Sequence, residues 1–233
     1  MQIELPISKS IANRWLILQA IHGDELMPVS DSMPDDVRIM SEAIRRLGER
    51  REARIDIGNC GTAMRFLTAY CAQLEGTTII LDGVERMHHR PIGQLVDALR
   101  EIGAQIDYLG EDGFPPLCIK GCVLDKHRIV TIHNPQSTQF VSALLLIGAN
   151  VQTDNTSPYI TLTRSLIQHY TILHNATPSK RIGRLLLFGM SMWHSTAVRL
   201  SYQDYTKTRC KAIRLWQTYS LTSVSTLPTP PKV

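Results

Sequence analysis

Leu95 to Ala104 reads LVDALREIGA, and the fold turns on how this stretch is read. Its apolar residues fall at i, i+3 or i+4, and i+7, which is one face of an amphipathic helix. Gly103 can take the left-handed conformation that stops such a helix, and Gln105 to Tyr108 then alternates as a short strand. The helical pattern recurs over Met40 to Glu49 (MSEAIRRLGE), again with a Leu-Gly stop, and over Leu162 to Thr171 (LTRSLIQHYT). Two similar amphipathic helices are commonplace. Three, two of them with matching stops, favour an internal repeat of α/β units.

Between these helices lie strand candidates at Ala53 to Ile57, Thr77 to Leu81, Leu117 to Ile119 and Ile129 to Ile132, each short, β-branched and bounded by Gly, Asp or Asn. Single antiparallel connections are expected between them rather than long crossovers. Pro115 and Pro116 mark a turn before the strand through Cys118.

The 233 residues are 43% hydrophobic and 20% charged, which fits a soluble globular protein and excludes disordered, collagenous and disulfide-scaffold classes. No run of eighteen apolar residues occurs, and MQIELPISKS lacks the basic start and apolar stretch of a signal peptide, so a cytoplasmic protein is expected. Cys60, Cys71, Cys118, Cys122 and Cys210 are odd in number and lack C-x-x-C spacing, so they read as small buried residues rather than zinc or redox ligands.

Five runs carry chemistry. In Leu5 to Arg14 (LPISKSIANR) a strand end meets a helix beginning near Ile11, and Lys9, Ser10 and Arg14 converge on its N-terminus. Backbone N–H groups, the helix dipole, an ammonium and a guanidinium suit a dianion such as phosphate, although a Ser cap with solvated charges explains the run equally well. In Gly58 to Arg65 (GNCGTAMR) a second glycine turn, with Asn59, opens a helix at Thr62, and Gly61 lets a ligand approach the backbone. A Gly-x-x-Gly turn by itself is weak evidence. Gly83 to Gly93 (GVERMHHRPIG) sets Arg86, His88, His89 and Arg90 before a helix that Pro91 can begin. Arg90 is the better anion clamp, and the adjacent histidines would point apart and find no third metal ligand. Pro135 to Leu144 (PQSTQFVSAL) places Ser137, Thr138 and Gln139 at the mouth of an apolar helix, by default as capping material. Thr156 to Ile160 (TSPYI) adds the Tyr159 hydroxyl, which alone would be assigned to packing.

Taken in order and spacing, LPxSKSxxNR, GNxGTAMR, RPIGQLVDALREIGA, SxQFxSALL and SPY resemble the enolpyruvyl-transferase family, and within it the shikimate-phosphate branch. The resemblance covers residues 1 to about 165. It implies an α/β fold of repeated units around buried helices, an inside-out α/β barrel forming one of two domains, with Met1 to Pro6 in the strand crossing between them. The implied activity is transfer of the enolpyruvyl group of phosphoenolpyruvate to the 5-hydroxyl of shikimate 3-phosphate, on the route to chorismate and the aromatic amino acids. No metal or organic cofactor is implied. The expected partners are these two small molecules, without nucleic acid or membrane, and the expected state is a monomer.

Carried over by position, Lys9, Ser10, Arg14, Ser137, Thr138, Gln139, Thr156 and Tyr159 bind shikimate 3-phosphate. Lys9, Asn59, Gly61, Thr62, Arg90 and Gln139 bind phosphoenolpyruvate. Thr138 keeps the hydroxyl of the family's Ser, and Phe66 replaces a frequent Pro, a change expected to reshape the phosphoenolpyruvate side. The family's acid and base lie in its other domain, so no catalytic residue is assigned here. The sister branch acting on a UDP-sugar fits SKSxxNR and RPIG less well, and a non-catalytic anion-binding half-domain is the remaining alternative.

Beyond about residue 170 the resemblance ends and the charge changes sign. Residues 1–170 hold 16 Lys/Arg against 20 Asp/Glu, whereas residues 171–233 hold nine against Asp204 alone. A basic nucleic-acid arm would explain this, but the cations are scattered among Leu, Trp and Tyr. A shifted reading frame explains it better. If each codon starts at the third base of the one before, Arg181 to Ser195 can encode DWSAASFWYE and Lys207 to Trp216 can encode DSLQGDSAV, both resembling family segments. The domain division expected is therefore residues 1–170 in the family fold and residues 171–233 as an out-of-frame tail, with the shift near residues 171–178.

Overall fold

The structure, a computed structural model, describes residues 8–49 and 52–175. The expected strand at Met1 to Pro6 and the tail from residue 176 onward lie outside the described residues. In chain order the elements are α1 (Lys9–His22), α2 (Asp35–Glu49), β1 (Glu52–Asp56), α3 (Gly61–Ala72), β2 (Thr78–Asp82), α4 (Glu85–His88), α5 (Gly93–Glu101), β3 (Gln105–Tyr108), β4 (Leu117–Lys120), β5 (Ile129–Ile132), α6 (Thr138–Leu146), β6 (Asn150–Thr153) and α7 (Pro158–His174). Among the described residues no helix is long and apolar enough to cross a membrane.

The repeated amphipathic helices of the sequence are α2, α5 and α7, but these are not the buried trio. Helices α1, α3 and α6 pack on one another at the centre, and each outer helix covers a groove between two of them. Thus α2 lies on α1 and α3, α5 on α3 and α6, and α7 on α6 and α1. The reason is how much of each helix is apolar. Helix α3 buries every residue except Thr62, and α1 buries the continuous run Ala12 to Gln19. Helix α2 instead keeps Arg38, Glu42, Arg45 and Arg46 exposed on its far side. A helix apolar all round must go inside, and one with a single stripe can only cover it.

Helix starts are also shifted from expectation. Helix α1 begins at Lys9, not near Ile11, and α3 begins at Gly61 behind a Cys60 cap whose Sγ accepts from the Ala63 N–H at 3.3 Å. Helix α5 begins at Gly93, two residues after Pro91. Gly48 lies within α2 and does not stop it, whereas Gly103 has the expected positive φ of 99°. Helix α7 runs on to His174, four residues past the expected break.

The expected antiparallel pairing holds for β4 with both β2 and β3 but fails for β1 with β2 and for β5 with β6. β1 pairs with β2 in parallel from Glu52↔Thr78 to Asp56↔Asp82, and β5 with β6 in parallel from Ile129↔Asn150 to Ile132↔Thr153. β4 is antiparallel to both β2 and β3, giving a sheet ordered β1-β2-β4-β3 beside the β5-β6 pair. The buried helices α3 and α6 cause the difference, since each carries the chain back along the strand and so permits a parallel crossover. The strand β6 was not anticipated. The segment β1-α3-β2-α5-β3-β4 is one full unit, with the one-turn α4 inserted after β2, and β5-α6-β6-α7 repeats its main elements. Each unit sends a strand into an inner helix, so α3 and α6 start in equivalent places.

Candidate functional site

The predicted residues gather where helices begin. Gln139, in the first turn of α6, donates from Nε2 to Thr62 Oγ1 in the first turn of α3 at 3.0 Å, which joins the two repeats. Ser137 caps α6, its Oγ accepting from the Gln139 N–H at 3.2 Å, and Thr138 is the first helical residue. Gly61 is where Arg90 arrives: a Cβ there would stand 2.4 Å from Arg90 Nη1 and 2.5 Å from Arg65 Nη1. Two guanidinium groups therefore occupy the space a side chain at residue 61 would need, at the positive end of a twelve-residue helix.

Arg14 projects from α1 into a buried setting, 3% exposed. Its Nε donates to Thr163 Oγ1 at 2.7 Å, Nη2 to Ser142 Oγ at 3.1 Å and Nη1 to the Ser10 carbonyl at 2.8 Å. Its Cζ lies 5.2 Å from the centre of the Phe66 ring and 5.9 Å from that of Tyr159. Phe66 thus packs against Arg14, on which the Tyr159 ring also lies. Lys9 is half-exposed and pairs with Asp36 Oδ2 at 3.0 Å. Asp36 also interacts with the Cys60 thiol, so one carboxylate links the starts of α1, α2 and α3.

Electrostatically the site is short of negative charge. Among the described residues, Arg14, Arg65 and Arg90 make no ion pair with a carboxylate, and Arg65 is held by the carbonyls of Gly61 at 2.9 Å and Pro91 at 3.3 Å. Burial lowers the Arg14 pKa to about 10. Burial, and then the neighbouring charge of Arg90, lowers that of Arg65 to about 10. Both remain cationic at neutral pH, and a buried cation without a counter-charge is costly until an anion arrives. Cys60 is pushed up to about 11, chiefly by burial, and so stays a thiol rather than a competing thiolate.

Not every predicted residue joins this network. Asn59 and Thr156 are exposed, and among the described residues no hydrogen bond ties either to another predicted residue. Tyr159 is 41% exposed, its ring facing Arg14. Arg86 is exposed on α4. His88 and His89 lie at the end of that short helix, before α5, and His88 Nε2 meets Asp82 at 2.8 Å. Cys60 and Cys71 are buried as read, whereas Cys118 and Cys122 are partly exposed. Sequence reading missed Asp36, Arg65, Ser142 and Thr163. Arg65 and Ser142 stood inside quoted runs, and their helical spacing from Gly61 and Thr138, four residues in each case, was the available signal.

Comparison with known proteins follows the same residues. Residues 49–176 match the family EPSP synthase (3-phosphoshikimate 1-carboxyvinyltransferase). The chain is 44% identical over 177 residues to a 3-phosphoshikimate 1-carboxyvinyltransferase of Bacteroides fragilis, covering 72% of this chain and 42% of the relative. It is 37% identical over 201 residues to that of Cupriavidus necator, covering 73% of this chain and 46% of the relative. The chain therefore spans less than half the length of these relatives. Among solved structures, EPSP synthase from Acinetobacter baumannii superposes with a TM-score of 0.55 at 23% identity, over 69% of this chain and 42% of that one, a likeness of fold.

Proposed function

The chain belongs to the EPSP synthase family, and on that premise we propose that it carries one half of a site for enolpyruvyl transfer from phosphoenolpyruvate to the 5-hydroxyl of shikimate 3-phosphate. The observation that carries the proposal is the set of three guanidinium groups, Arg14, Arg65 and Arg90, gathered at helix starts without a carboxylate partner among the described residues. Substrates bearing phosphate and carboxylate groups supply the missing charge.

In this reading Arg14, Ser10, Ser137, Thr138, Thr156 and Tyr159 hold shikimate 3-phosphate, and Arg90, Asn59, Gly61 and Thr62 hold phosphoenolpyruvate. Lys9 and Gln139 serve both. The reaction adds the hydroxyl oxygen to C2 of phosphoenolpyruvate and a proton to C3, then expels phosphate and returns a proton from C3. This half-site orients the anions and stabilises their charge. It assigns no residue to either proton transfer, and an acid and a base must come from a second domain.

Residues 171–233 are proposed to be translated out of frame, so that the polypeptide binds substrate in the cytoplasm as a monomer without turning it over. Calorimetry with shikimate 3-phosphate, followed by a phosphate-release assay with both substrates, tests the functional reading. Binding without turnover is expected; turnover by this chain would refute the half-site, and absence of binding would refute the assignment. Sequencing the gene across codons 165–185 tests the frame. An uninterrupted frame with no family-like continuation in another frame would remove that part of the proposal.

A further inference from the structure

Two residues absent from the substrate-binding set determine how Arg14 is presented. Ser142 on α6 and Thr163 on α7 are both fully buried, and their oxygens lie 3.0 Å apart. A hydroxyl has one proton and two lone pairs. Thr163 directs its proton to the Tyr159 carbonyl at 2.7 Å. Its alternative acceptor is Ser142 Oγ, and whichever of the two takes that single proton, both hydroxyl oxygens accept from the guanidinium. Arg14 meets them with Nε and the adjacent N–H of Nη2, while Nη1 turns one N–H back to the Ser10 carbonyl. Phe66 and Tyr159 lie against the same group.

Of the five guanidinium N–H groups, three are engaged in this way. The remaining two, one on Nη1 and one on Nη2, form the end-on fork that matches two oxygens of a phosphate. A carboxylate at residue 142 or 163 would orient the guanidinium equally well but would cancel its charge. Hydroxyls orient it and leave the charge in place. We infer that Ser142 and Thr163 are positioning residues that aim the Arg14 fork at an anionic group of the substrate while keeping the guanidinium un-neutralised. This rests on the reading of Arg14 as a shikimate 3-phosphate ligand.

The test separates aim from charge. In the full chain, the Arg14 Nε–H should give a slowly exchanging NMR signal without any ligand. Thr163→Val should lose that protection, and Thr163→Ser, which restores the hydroxyl, should recover it. Calorimetry with shikimate 3-phosphate should show about tenfold weaker binding for Thr163→Val, and similarly for Ser142→Ala, as expected for one hydrogen bond to a charged group. Ser142→Asp should keep the protected Nε–H and yet bind about a hundredfold more weakly, since its carboxylate competes with the anionic group of the substrate. Unchanged Nε–H exchange in Thr163→Val, or unchanged affinity in both Thr163→Val and Ser142→Ala, would overturn the inference. If the unaltered chain binds no shikimate 3-phosphate, the functional reading fails instead, and the exchange measurement still decides whether the hydroxyls hold the guanidinium.

Discussion

The two cationic regions of the site solve one problem in different ways. Around Arg14 a single charge is boxed by hydroxyls, a carbonyl and two rings, so its direction is set before any ligand arrives. Beside Gly61, Arg65 and Arg90 are pressed together, with Arg65 held by two carbonyls and set over the Phe140 ring, so two like charges lie side by side. The first region is built for orientation and the second for attraction. Glycine makes the second possible, because it is the absence of a side chain at residue 61 that lets both guanidinium groups reach the start of α3.

Substitutions can break this contrast, and the largest effect should come at that glycine. Gly61→Ala forces Arg90 and Arg65 aside at their flexible ends, so the fold should persist while phosphoenolpyruvate affinity drops by about 1.5–3 kcal/mol, the value of a charge-assisted contact. Calorimetry beside thermal unfolding checks both halves of that statement.

Attraction should also appear as ligand-dependent stability. Inorganic phosphate at a hundred times its Kd should stabilise the chain by about 2.7 kcal/mol. The sign with pH follows from the lowered pKa values near 10 of Arg14 and Arg65. Folding with these groups charged is costly at neutral pH, and that cost is relieved as pH rises through about 10 toward the ordinary arginine value. Phosphate should therefore raise Tm strongly at pH 7 and less above pH 10, and an equal shift at both would break the link to the buried guanidinium groups.

A smaller change is expected from Gln139→Ala, which removes the bond to Thr62. It should cost about 1 kcal/mol of stability, the net value of one such hydrogen bond, and should weaken binding of both substrates together. Weakening of one substrate alone would show that the two regions do not share Gln139. The least effect belongs to Asp36→Asn. The Lys9 pair is half-exposed and worth about 0–1 kcal/mol. With that competing carboxylate gone, phosphate should bind slightly more tightly at low salt, and weaker binding would show that Asp36 supports Lys9 instead.

The sequence was legible where a residue type has one good use. Gly103 and the Ser137 cap were found because a helix stop and an N-cap each need a specific residue. Strand direction was not legible, because β1 and β2 have the same short β-branched character whether they pair parallel or antiparallel. The inner helices were read from their starts, but their place at the centre was not, because periodicity detects stripes and α3 has none to detect. The amphipathic helices that revealed the repeat are therefore its cover. Ser142 and Thr163 were invisible for a related reason: a hydroxyl within an apolar helix reads as a tolerated small residue until the buried guanidinium beside it is seen.

The bond between Gln139 and Thr62 has a consequence for how such a fold can change over generations. Each of these residues opens the inner helix of a different unit, in equivalent places, and each completes its setting with an atom from the other. A substitution at either position is thus judged by what stands at its counterpart. Two units of one plan begin as interchangeable parts, but once they meet across a shared hydrogen bond neither can drift alone.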